Sequence, residues 1–585
     1  MSKKRFGSDL MVDVIKQYDF EYVSFNPGSS FRALHDSLVH HGGNVKPETI
    51  LCPHENTAIG IAHGYAKATE KPMFTVLHNL VGLLHATMAI YYAYIDRVPM
   101  VIGGATGPMD SVRRRPHIDW IHTALVQGNA IRDYVKWDDQ PYSLAAVPDS
   151  FARAYRIANT EPKGPTYICF DVTQQEEPVE EEVSLLNVNK LMPPTPIQAD
   201  MDALEKAADL LVKARNPVIL AGYLGRNKAS VGKLVELCEL LSIPVIDLRH
   251  RFNFPNTHPL DLTGSDCLRS ADVLLALDVR DLAGPTTNYD SVMKRTNRLQ
   301  SILPEHCKVI EMGLSDLGAS GWSMQYEKLQ EVDLSILCDT AVALPELIRK
   351  CREKLSVEDG QKEEVKRRFK VLSEKHNRIR DQWKEEALKN WDLKPMTVPR
   401  MVSEVWEVIK NEDWVLSVST NGARGWPRRL WDWDQPYRFP GEGLGTGTQI
   451  NISLGVALAY RGTGKLVVDI QPDGDLLFDP AALWVAAHHR IPMLVVMLNN
   501  RSYLNSWNHQ VTMAKQRGNP AEKAHLGTEI NHPAPDFAKL AESFGWYAEG
   551  PIDDGRKVQE AIKRAIHVIR NEGRPALIDT VVQFF

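Results

Sequence analysis

Two polar positions in the last third of the chain, Asp473 and Asn500, carry side chains that could hold a divalent cation together. Asp473 and Gly474 directly follow one strand-like apolar run, and Asn500 ends another. The carboxyl ends of parallel strands meet at one edge of a sheet, where ligands bind. Carboxylate and amide oxygens suit Mg²⁺, and the Gly474 backbone with a helix starting near Asp479 suits a diphosphate. An ordinary strand-to-helix turn accounts for the same residues equally well.

A second group of candidate residues lies nearer the N-terminus, where Glu55 opens a predicted helix, Asn56–Thr69. A lone glutamate before a helix is usually a capping or solvated residue. His78 directly follows the next predicted strand, and a histidine there could donate or orient a proton near a substrate oxygen. A purely structural histidine at a strand end is the alternative.

The elements that must position these residues form three successive α/β units, in which short apolar strands alternate with helical patterns. This alternation predicts three doubly wound parallel sheets. The predicted domains are 1–185, 196–350 and 396–585, with a charged helical linker at 351–395. The predicted strands are Tyr22–Asn26, Met73–His78, Val98–Gly104 and Thr166–Val172; then Asn216–Gly222, Ile243–Leu248, Ala271–Asp278 and Lys308–Gly313; then Trp414–Thr420, Lys465–Gln471, Met493–Asn500 and Ala576–Val582.

Composition excludes several classes of protein. With 43% hydrophobic and 24% charged residues, the 585-residue chain is neither disordered nor collagen-like. A net charge of −6 without a basic stripe argues against a nucleic-acid partner. Seven cysteines without a CxxC pair argue against a disulfide framework or a thiolate zinc site and indicate a reducing compartment. The apolar runs are too short to cross a membrane, so a cytoplasmic protein is expected.

The segment around Asp473 and Asn500 resembles the diphosphate- and metal-binding motif of thiamine diphosphate (ThDP) enzymes, in which GDG precedes NN by about 27 residues. The resemblance implies that Asp473, Asn500 and the main-chain carbonyl of Ser502 bind Mg²⁺. The chain departs from the motif at Pro472, which replaces the first glycine, and at Asp475, which replaces a small polar residue. The charge of Asp475 would repel a diphosphate unless its side chain points away.

A segment near the N-terminus resembles the pyrimidine-binding domain of the same enzymes, whose essential glutamate lies in an HE-x-x-A-x-x-x-A-x-G-Y-A-like stretch. The matching residues are His54, Glu55, Ala58, Ala62, Gly64, Tyr65 and Ala66. The resemblance implies that Glu55 shares a proton with a pyrimidine nitrogen of ThDP and so promotes loss of the thiazolium proton. A buried carboxyl can serve as such a donor because desolvation disfavours its charged form.

Further matches to this family concern the contacts of the cofactor. Ser419 and Thr420, in VLSVSTNGARGW, would hydrogen-bond the diphosphate. Gly445 and Thr446, in GEGLGTGTQINISLG, would lie beneath the aminopyrimidine, with Thr446 where a bulky apolar residue normally wedges the cofactor. Tyr503 would border the thiazolium ring.

The resemblance covers nearly the whole chain and is greatest to the branch of benzoylformate decarboxylase and acetolactate synthase. NPGS and His78 match the decarboxylase, which implies that Ser29 binds substrate and that His78 is a catalytic histidine. Asn505, Ser506 and His509 stand where the decarboxylase has an apolar pocket wall, so a more polar substrate is expected.

The function that the resemblance implies is ThDP- and Mg²⁺-dependent, non-oxidative decarboxylation of a 2-oxo acid to an aldehyde. An acetolactate synthase-like carboligase or a 2-hydroxyacyl lyase is the alternative, and a catalytically silent protein of the same fold is the third. The family implies a homodimer or a dimer of dimers, because the pyrimidine domain of one subunit faces the diphosphate domain of another. FAD is possible in the central domain, as in related synthases, but it is not expected.

Overall fold

The computed structural model describes residues 4–288, 300–318, 320, 329–357, 359–418, 423, 425–443 and 445–584. These residues form three all-parallel sheets that follow one another along the chain. Helices cover the sheets, and the strands are buried apolar runs, as parallel sheets require. The predicted fold class, three parallel α/β units, is therefore confirmed.

The first sheet contains six strands, of which two were not predicted. The strands are β1 (Tyr22–Phe25), β2 (Glu48–Leu51), β3 (Phe74–Val76), β4 (Met100–Thr106), β5 (Trp137–Asp139) and β6 (Pro165–Asp171). Their order across the sheet is β2-β1-β3-β4-β6-β5, so the two unpredicted strands, β2 and β5, form its edges. The helices are α1 (Gly7–Lys16), α2 (Arg32–His40), α3 (Glu55–Thr69), α4 (Leu80–Ile95), α5 (Asp119–His122), α6 (Val147–Asn159) and α7 (Val172–Glu176).

The central sheet contains five strands, and a long charged helix packs against its domain. The strands are β7 (Pro217–Ala221), β8 (Val245–Asp247), β9 (Val273–Leu277), β10 (Lys308–Gly313) and β11 (Leu334–Leu337), in the order β11-β10-β9-β7-β8. The helices are α8 (Met201–Lys213), α9 (Lys228–Leu241), α10 (Ala283–Thr286), α11 (Thr340–Val357) and α12 (Asp359–Ala387). Val365, Phe369 and Leu372 of α12 contact the central core, so this linker helix is packed along a surface, as its amphipathic pattern predicts. None of the helices in the described part of the chain is long and apolar enough to span a bilayer.

The third sheet carries the predicted cation-binding edge. Its five strands are β12 (Trp414–Leu416), β13 (Leu466–Pro472), β14 (Leu494–Asn499), β15 (Tyr547–Ile552) and β16 (Ala576–Val581), in the order β12-β13-β14-β16-β15. The helices are α13 (Val398–Ile409), α14 (Trp426–Leu430), α15 (Gln449–Ala459), α16 (Asp473–Leu476), α17 (Ala482–His488), α18 (Leu504–Arg517), α19 (Phe537–Ser543) and α20 (Val558–Glu572). The predicted helix near Asp479 is thus two helices, α16 and α17, of which α16 starts directly at Asp473.

The first and third domains pack through α3 and α15, whose backbones lie in close contact. A Cβ atom added at Gly64 of α3 would lie 1.9 Å from the carbonyl oxygen of Ile452, and one added at Gly455 of α15 would lie 2.0 Å from that of Ile61. Side chains larger than glycine cannot occupy such positions without separating the helices. The glycines therefore fix the distance between the two domains whose ends carry the predicted site residues.

A buried carboxylate, Asp96, joins elements of the first and central domains. Arg251 and Lys67 donate to Asp96 at 2.7 and 2.9 Å, and His63 Nε2 lies 2.7 Å from it. Burial acts to raise the pKa of Asp96, but Arg251, Lys67 and His63 together hold it well below its usual value. The carboxylate is therefore charged and fully partnered at neutral pH.

Replacing Asp96 with asparagine should destabilise the protein by about 3–5 kcal/mol, because Arg251 and Lys67 would remain buried without their anionic partner. Denaturant-induced unfolding of the two proteins measures this difference. Asp149→Asn is the matched control, since Asp149 pairs with Arg153 on the surface and its loss should cost less than about 1 kcal/mol. Equal stability of the Asp96 variant and the control would contradict the assignment of Asp96 as an interdomain anchor.

Candidate active site

The predicted cation ligands Asp473 and Asn500 lie together at the carboxyl edge of the third sheet. Strands β13 and β14 are neighbours in register, with Pro472 beside Leu498, so the residues after each strand meet. The amide N–H of Ser502 lies 3.3 Å from Asp473 Oδ2 and 3.0 Å from Asn500 Oδ1, so one donor faces both oxygens. The ligand role of the Ser502 carbonyl oxygen stays a prediction.

The electrostatics of Asp473 fit a divalent cation. Its side chain is 2% exposed, and burial raises its pKa to about 6, although backbone amides of Gly474, Arg501 and Ser502 partly oppose this rise. Within the described residues, no lysine, arginine or histidine forms an ion pair with it. Burying a carboxylate without a counter-charge is unfavourable. A bound Mg²⁺ would supply the missing positive charge, and the oxygen of Asn500 is a ligand of the kind Mg²⁺ prefers.

Asp475, expected to disturb a diphosphate, supports the glycine-rich loop before α15. Its two carboxylate oxygens accept hydrogen bonds from the backbone N–H groups of Gly447 and Gln449, at 2.7 and 3.2 Å. Gln471 donates to the same side chain at 3.3 Å. Three donors thus engage this carboxylate, and the effect of its charge on a bound diphosphate stays a prediction.

A cavity of about 390 Å³ lies over this edge of the sheet. Most of the predicted cofactor and pocket residues line it: Gly445, Thr446, Asp473, Gly474, Asp475, Asn500, Ser502, Tyr503, Asn505 and Ser506. His509 is not among its lining residues, and Ser419 and Thr420 lie outside the described residues. Every lining residue belongs to the third domain, and Glu55 and His78 are not among them.

Thr446 is contacted by a side chain of the first domain. Its hydroxyl is hydrogen-bonded to the hydroxyl of Tyr92 on α4, and its backbone has φ of +56°. This left-handed conformation is uncommon for a threonine and therefore marks a tightly held loop position. Tyr92 was not predicted as a site residue, since nothing in its sequence context indicates a contact 354 residues away.

The predicted pyrimidine-side glutamate, Glu55, is buried at the first turn of α3, with only 3% of the residue exposed. His54 caps the helix by accepting the N–H of Asn56 at 3.0 Å. His85 Nδ1 lies 3.2 Å from Glu55 Oε2. A Cβ atom added at Gly82 would lie 2.8 Å from Glu55 Oε1 and 2.8 Å from His78 Cβ. Glu55 and His78 therefore meet on either side of one glycine.

Ser30, the neighbour of the predicted substrate-binding residue Ser29, contacts His78. Ser30 Oγ lies 2.8 Å from His78 Nδ1 and accepts the N–H of Asn79 at 3.1 Å, whereas Ser29 is exposed. This hydrogen bond holds the imidazole ring through Nδ1, and the tautomer of His78 decides which partner donates. A binding role for Ser29 stays a prediction.

The surroundings of His78 favour its neutral form. Burial lowers the pKa of His78, and His122 and Arg115 lower it further, while Glu55 acts in the opposite direction. The ring of His122 lies 5.5 Å from that of His78 in an edge-to-face arrangement. A neutral imidazole can donate a proton from Nε2 or accept one, which suits acid–base work near neutral pH.

Gly82 and His85 were not predicted as site residues. The sequence feature that could have indicated them is their spacing of three residues in the helical pattern that follows His78. That spacing places both on one helix face, and the face turns toward Glu55. Gly82 then provides the space in which Glu55 and His78 approach each other, and His85 adds a polar contact.

Replacing Gly82 with alanine should displace Glu55 or His78, because the new methyl group would lie 2.8 Å from both side chains. A displacement of about 1 Å at a catalytic group commonly costs about 10²-fold in rate. Catalytic activity of the purified holoenzyme measures the effect. Gly232→Ala is the matched control, since no atom lies within 4 Å of a Cβ added there; equal activity of both variants would contradict this packing.

Comparison with known protein families agrees with this arrangement. Residues 5–126 match "Thiamine pyrophosphate enzyme, N-terminal TPP binding domain", residues 204–315 match the central domain, and residues 422–580 match the C-terminal TPP binding domain. The chain belongs to the thiamine pyrophosphate enzyme family. The family accounts for the order of the three domains and for ThDP as the cofactor. Glu55 and His78 lie in the part that matches the N-terminal binding domain, and Asp473 and Asn500 in the part that matches the C-terminal one.

Curated relatives of this chain within the family include acetolactate synthases. It is 24% identical to the probable acetolactate synthase large subunit of Methanococcus aeolicus, over 98% of this chain and 92% of that protein. It is also 24% identical to the acetolactate synthase isozyme 3 large subunit of Escherichia coli (strain K12), over 98% of this chain and 94% of that one.

Two solved structures share the fold. The benzoylformate decarboxylase of Polynucleobacter necessarius has a TM-score of 0.76 at 16% identity, with 99% of both chains covered. A putative thiamin diphosphate-dependent enzyme from Mycobacterium smegmatis has a TM-score of 0.74 at 19% identity, again with 99% of both chains covered. At these identities the two structures establish the fold alone.

Proposed function

We propose that this enzyme binds ThDP with Mg²⁺ and decarboxylates a 2-oxo acid to an aldehyde without an oxidant. The observation that carries the proposal is the meeting of Glu55, His78 and Ser30 at one end of the first domain, together with the cavity at Asp473 and Asn500 in the third. The first group can move protons, and the second can hold a metal-bound diphosphate.

The residues of this chain have separate tasks in that reaction. ThDP, when bound, supplies a carbon nucleophile and an electron sink for cleaving the bond beside a carbonyl. Asp473 and Asn500 would hold Mg²⁺, and the Gly474 backbone would lie against the diphosphate. Glu55, which is buried, would share a proton with a nitrogen of the pyrimidine ring.

His78 would give a proton to, or orient, the substrate oxygen. Its Nδ1 is held by Ser30, which leaves Nε2 as the ring nitrogen for this role. The polar side chains of Asn505 and Ser506, at the start of α18, line the cavity and favour a substrate with a hydroxyl, carboxylate or similar group over benzoylformate.

Carboligation is the second candidate function, and the acetolactate synthase relatives favour it. Both candidate reactions begin with loss of CO₂ from a 2-oxo acid, so the same roles for Glu55 and Asp473 serve either one. The two differ only in whether a proton or a second carbonyl compound completes the product.

We also propose that two copies of this chain build each complete site. The cavity in the third domain is lined by third-domain residues only, among those described, and therefore needs a pyrimidine-binding wall. Glu55 of a second copy would supply that wall, which makes a homodimer, or a dimer of dimers, the functional unit.

A screen of 2-oxo acids tests the proposed reaction. The purified protein with ThDP and Mg²⁺ is incubated with aliphatic, hydroxylated, dicarboxylic and aromatic 2-oxo acids, with and without an acceptor aldehyde, while CO₂ and organic products are measured. The proposal expects CO₂ and an aldehyde, with a polar acid preferred to benzoylformate. A product that contains the acceptor would favour carboligation. Absence of CO₂ from every acid would contradict both reactions.

A further inference from the structure

Glu55 is part of a cluster of three side chains that could bind a metal ion, and the proposed reaction uses only Glu55 of the three. His54, Glu55 and His85 each offer one ligand atom, and these three atoms lie within 4.8 Å of one another. The rings of His54 and His85 are stacked, with centroids 5.0 Å apart. Among the described residues, no other group of three histidine, cysteine or carboxylate side chains is gathered in this way.

Part of the cluster already has the spacing of a tetrahedral metal site. Zinc bonds of about 2.0–2.1 Å place two neighbouring ligand atoms about 3.4 Å apart. His85 Nδ1 and Glu55 Oε2 are 3.2 Å apart, and His54 offers a ligand atom within 4.8 Å of both, so a rearrangement of the histidine rings would complete the set. The His85 side chain is 59% exposed, so an ion can reach the cluster and water or another ligand can fill the fourth position.

The chemistry of these ligands selects a borderline metal ion rather than Mg²⁺. Two imidazoles and one carboxylate form a ligand set suited to Zn²⁺, whereas Mg²⁺ prefers oxygen ligands alone. The Asp473 and Asn500 pair, by contrast, offers only oxygens. The two places in the molecule therefore differ in the metal they favour.

We propose that His54, Glu55 and His85 form a second divalent-metal site, selective for Zn²⁺ or a similar ion, whose occupation inhibits the enzyme. The inhibition rests on the proposed function of Glu55, because a carboxylate that binds Zn²⁺ cannot share a proton with the pyrimidine ring. Binding would release any proton held by the ligands. Zinc and ThDP then compete for one side chain.

Calorimetric titration of the full-length protein with Zn²⁺ tests the site. The protein is first freed of metals with a chelator and then saturated with Mg²⁺, without ThDP. We expect one Zn²⁺ per chain in the wild type and at least about tenfold weaker binding in His85→Asn and in His54→Asn. His40→Asn is the matched control, since His40 is an exposed histidine beside Asp36 that lies outside the cluster. Wild-type affinity in both cluster variants would overturn the proposal.

Two further measurements distinguish this cluster from the oxygen-ligand pair of Asp473 and Asn500 as the place where Zn²⁺ binds. Zn²⁺ binding should persist in Asp473→Ala, and its loss in that variant alone would overturn the proposal. Tetrahedral Co²⁺ in place of Zn²⁺ should give visible absorption in the wild type and not in His85→Asn. Because His85 is exposed, its substitution should leave thermal unfolding unchanged.

The inhibitory effect is measured as hydrogen–deuterium exchange at the thiazolium carbon of bound ThDP, with and without Zn²⁺. Zn²⁺ should slow this exchange at least about tenfold in the wild type and much less in His85→Asn. Equal exchange rates with and without Zn²⁺ in the wild type would overturn the inhibition. If exchange were slow in every protein while calorimetry still located Zn²⁺ at the cluster, the metal site would stand and the proposed role of Glu55 would fail.

Discussion

Replacing Asp473 with alanine should abolish Mg²⁺-dependent binding of ThDP and leave the fold intact. Removing a residue that hydrogen-bonds a metal ligand commonly lowers metal affinity about 10–100-fold. Removing a proposed direct ligand should therefore lower the Mg²⁺-dependent affinity for ThDP at least about 100-fold. Calorimetric titration with ThDP, in the presence and absence of Mg²⁺, measures this loss. Unchanged ThDP affinity in the variant would show that the metal site lies elsewhere.

The stability of the same variant provides an independent check. The Asp473 carboxyl has its pKa raised by burial to about 6 from an ordinary value of 3.8. Because the pKa of this acid is higher in the folded than in the unfolded protein, its ionisation lowers the free energy of unfolding. The loss grows as pH rises from about 4 to 6 and is complete at pH 7. Without Mg²⁺, Asp473→Ala should therefore unfold at a temperature no lower than that of the wild type. Asp432→Ala, at a surface ion pair, is the control.

Replacing Glu55 with glutamine should slow hydrogen–deuterium exchange at the thiazolium carbon by about 10²–10⁴-fold, the usual range for a general acid–base group. Glutamine keeps the shape and a hydrogen bond but cannot pass a proton, so ThDP should bind nearly as tightly as to the wild type. NMR-detected exchange in the holoenzyme, without substrate, measures the rate directly. Equal exchange rates in the two proteins would remove Glu55 from the mechanism.

His78→Ala is the informative comparison for the glutamate variant. The proposed role of His78 begins only after substrate binds, so the exchange rate should be normal while turnover of the 2-oxo acid falls. Slow exchange in His78→Ala would instead indicate that His78 acts mainly by holding Glu55 in place across Gly82.

Local sequence patterns predict the central strands of each sheet and the edge that carries Asp473 and Asn500. These elements are buried apolar runs, which are recognisable from composition alone. Four strands, β2, β5, β11 and β15, are not predicted from the sequence; all four lie at sheet edges and contain partly exposed or polar residues such as Glu48 and Asp138. Their pairing with the neighbouring strands comes from tertiary contacts rather than from their own propensity.

Contacts between distant segments are the part of the candidate site that the sequence could not supply. Tyr92 bonds to Thr446 across two domains, and Asp475 turns to the backbone of Gly447, so neither partner follows from neighbouring residues. The choice between Ser29 and Ser30 depends on a short 3₁₀ turn after Gly28, which decides which hydroxyl faces His78. Such details require the packed structure.

Mixing two inactive variants tests most directly the central claim that Glu55 and Asp473 complete one ThDP site. Glu55→Gln and Asp473→Ala are unfolded together, refolded with ThDP and Mg²⁺, and assayed for exchange at the thiazolium carbon. Random pairing makes about half of the dimers mixed, and each mixed dimer has one intact site of two, so about a quarter of wild-type exchange should return. Exchange no greater than that of the two variants refolded separately would contradict a site shared between two copies of the chain.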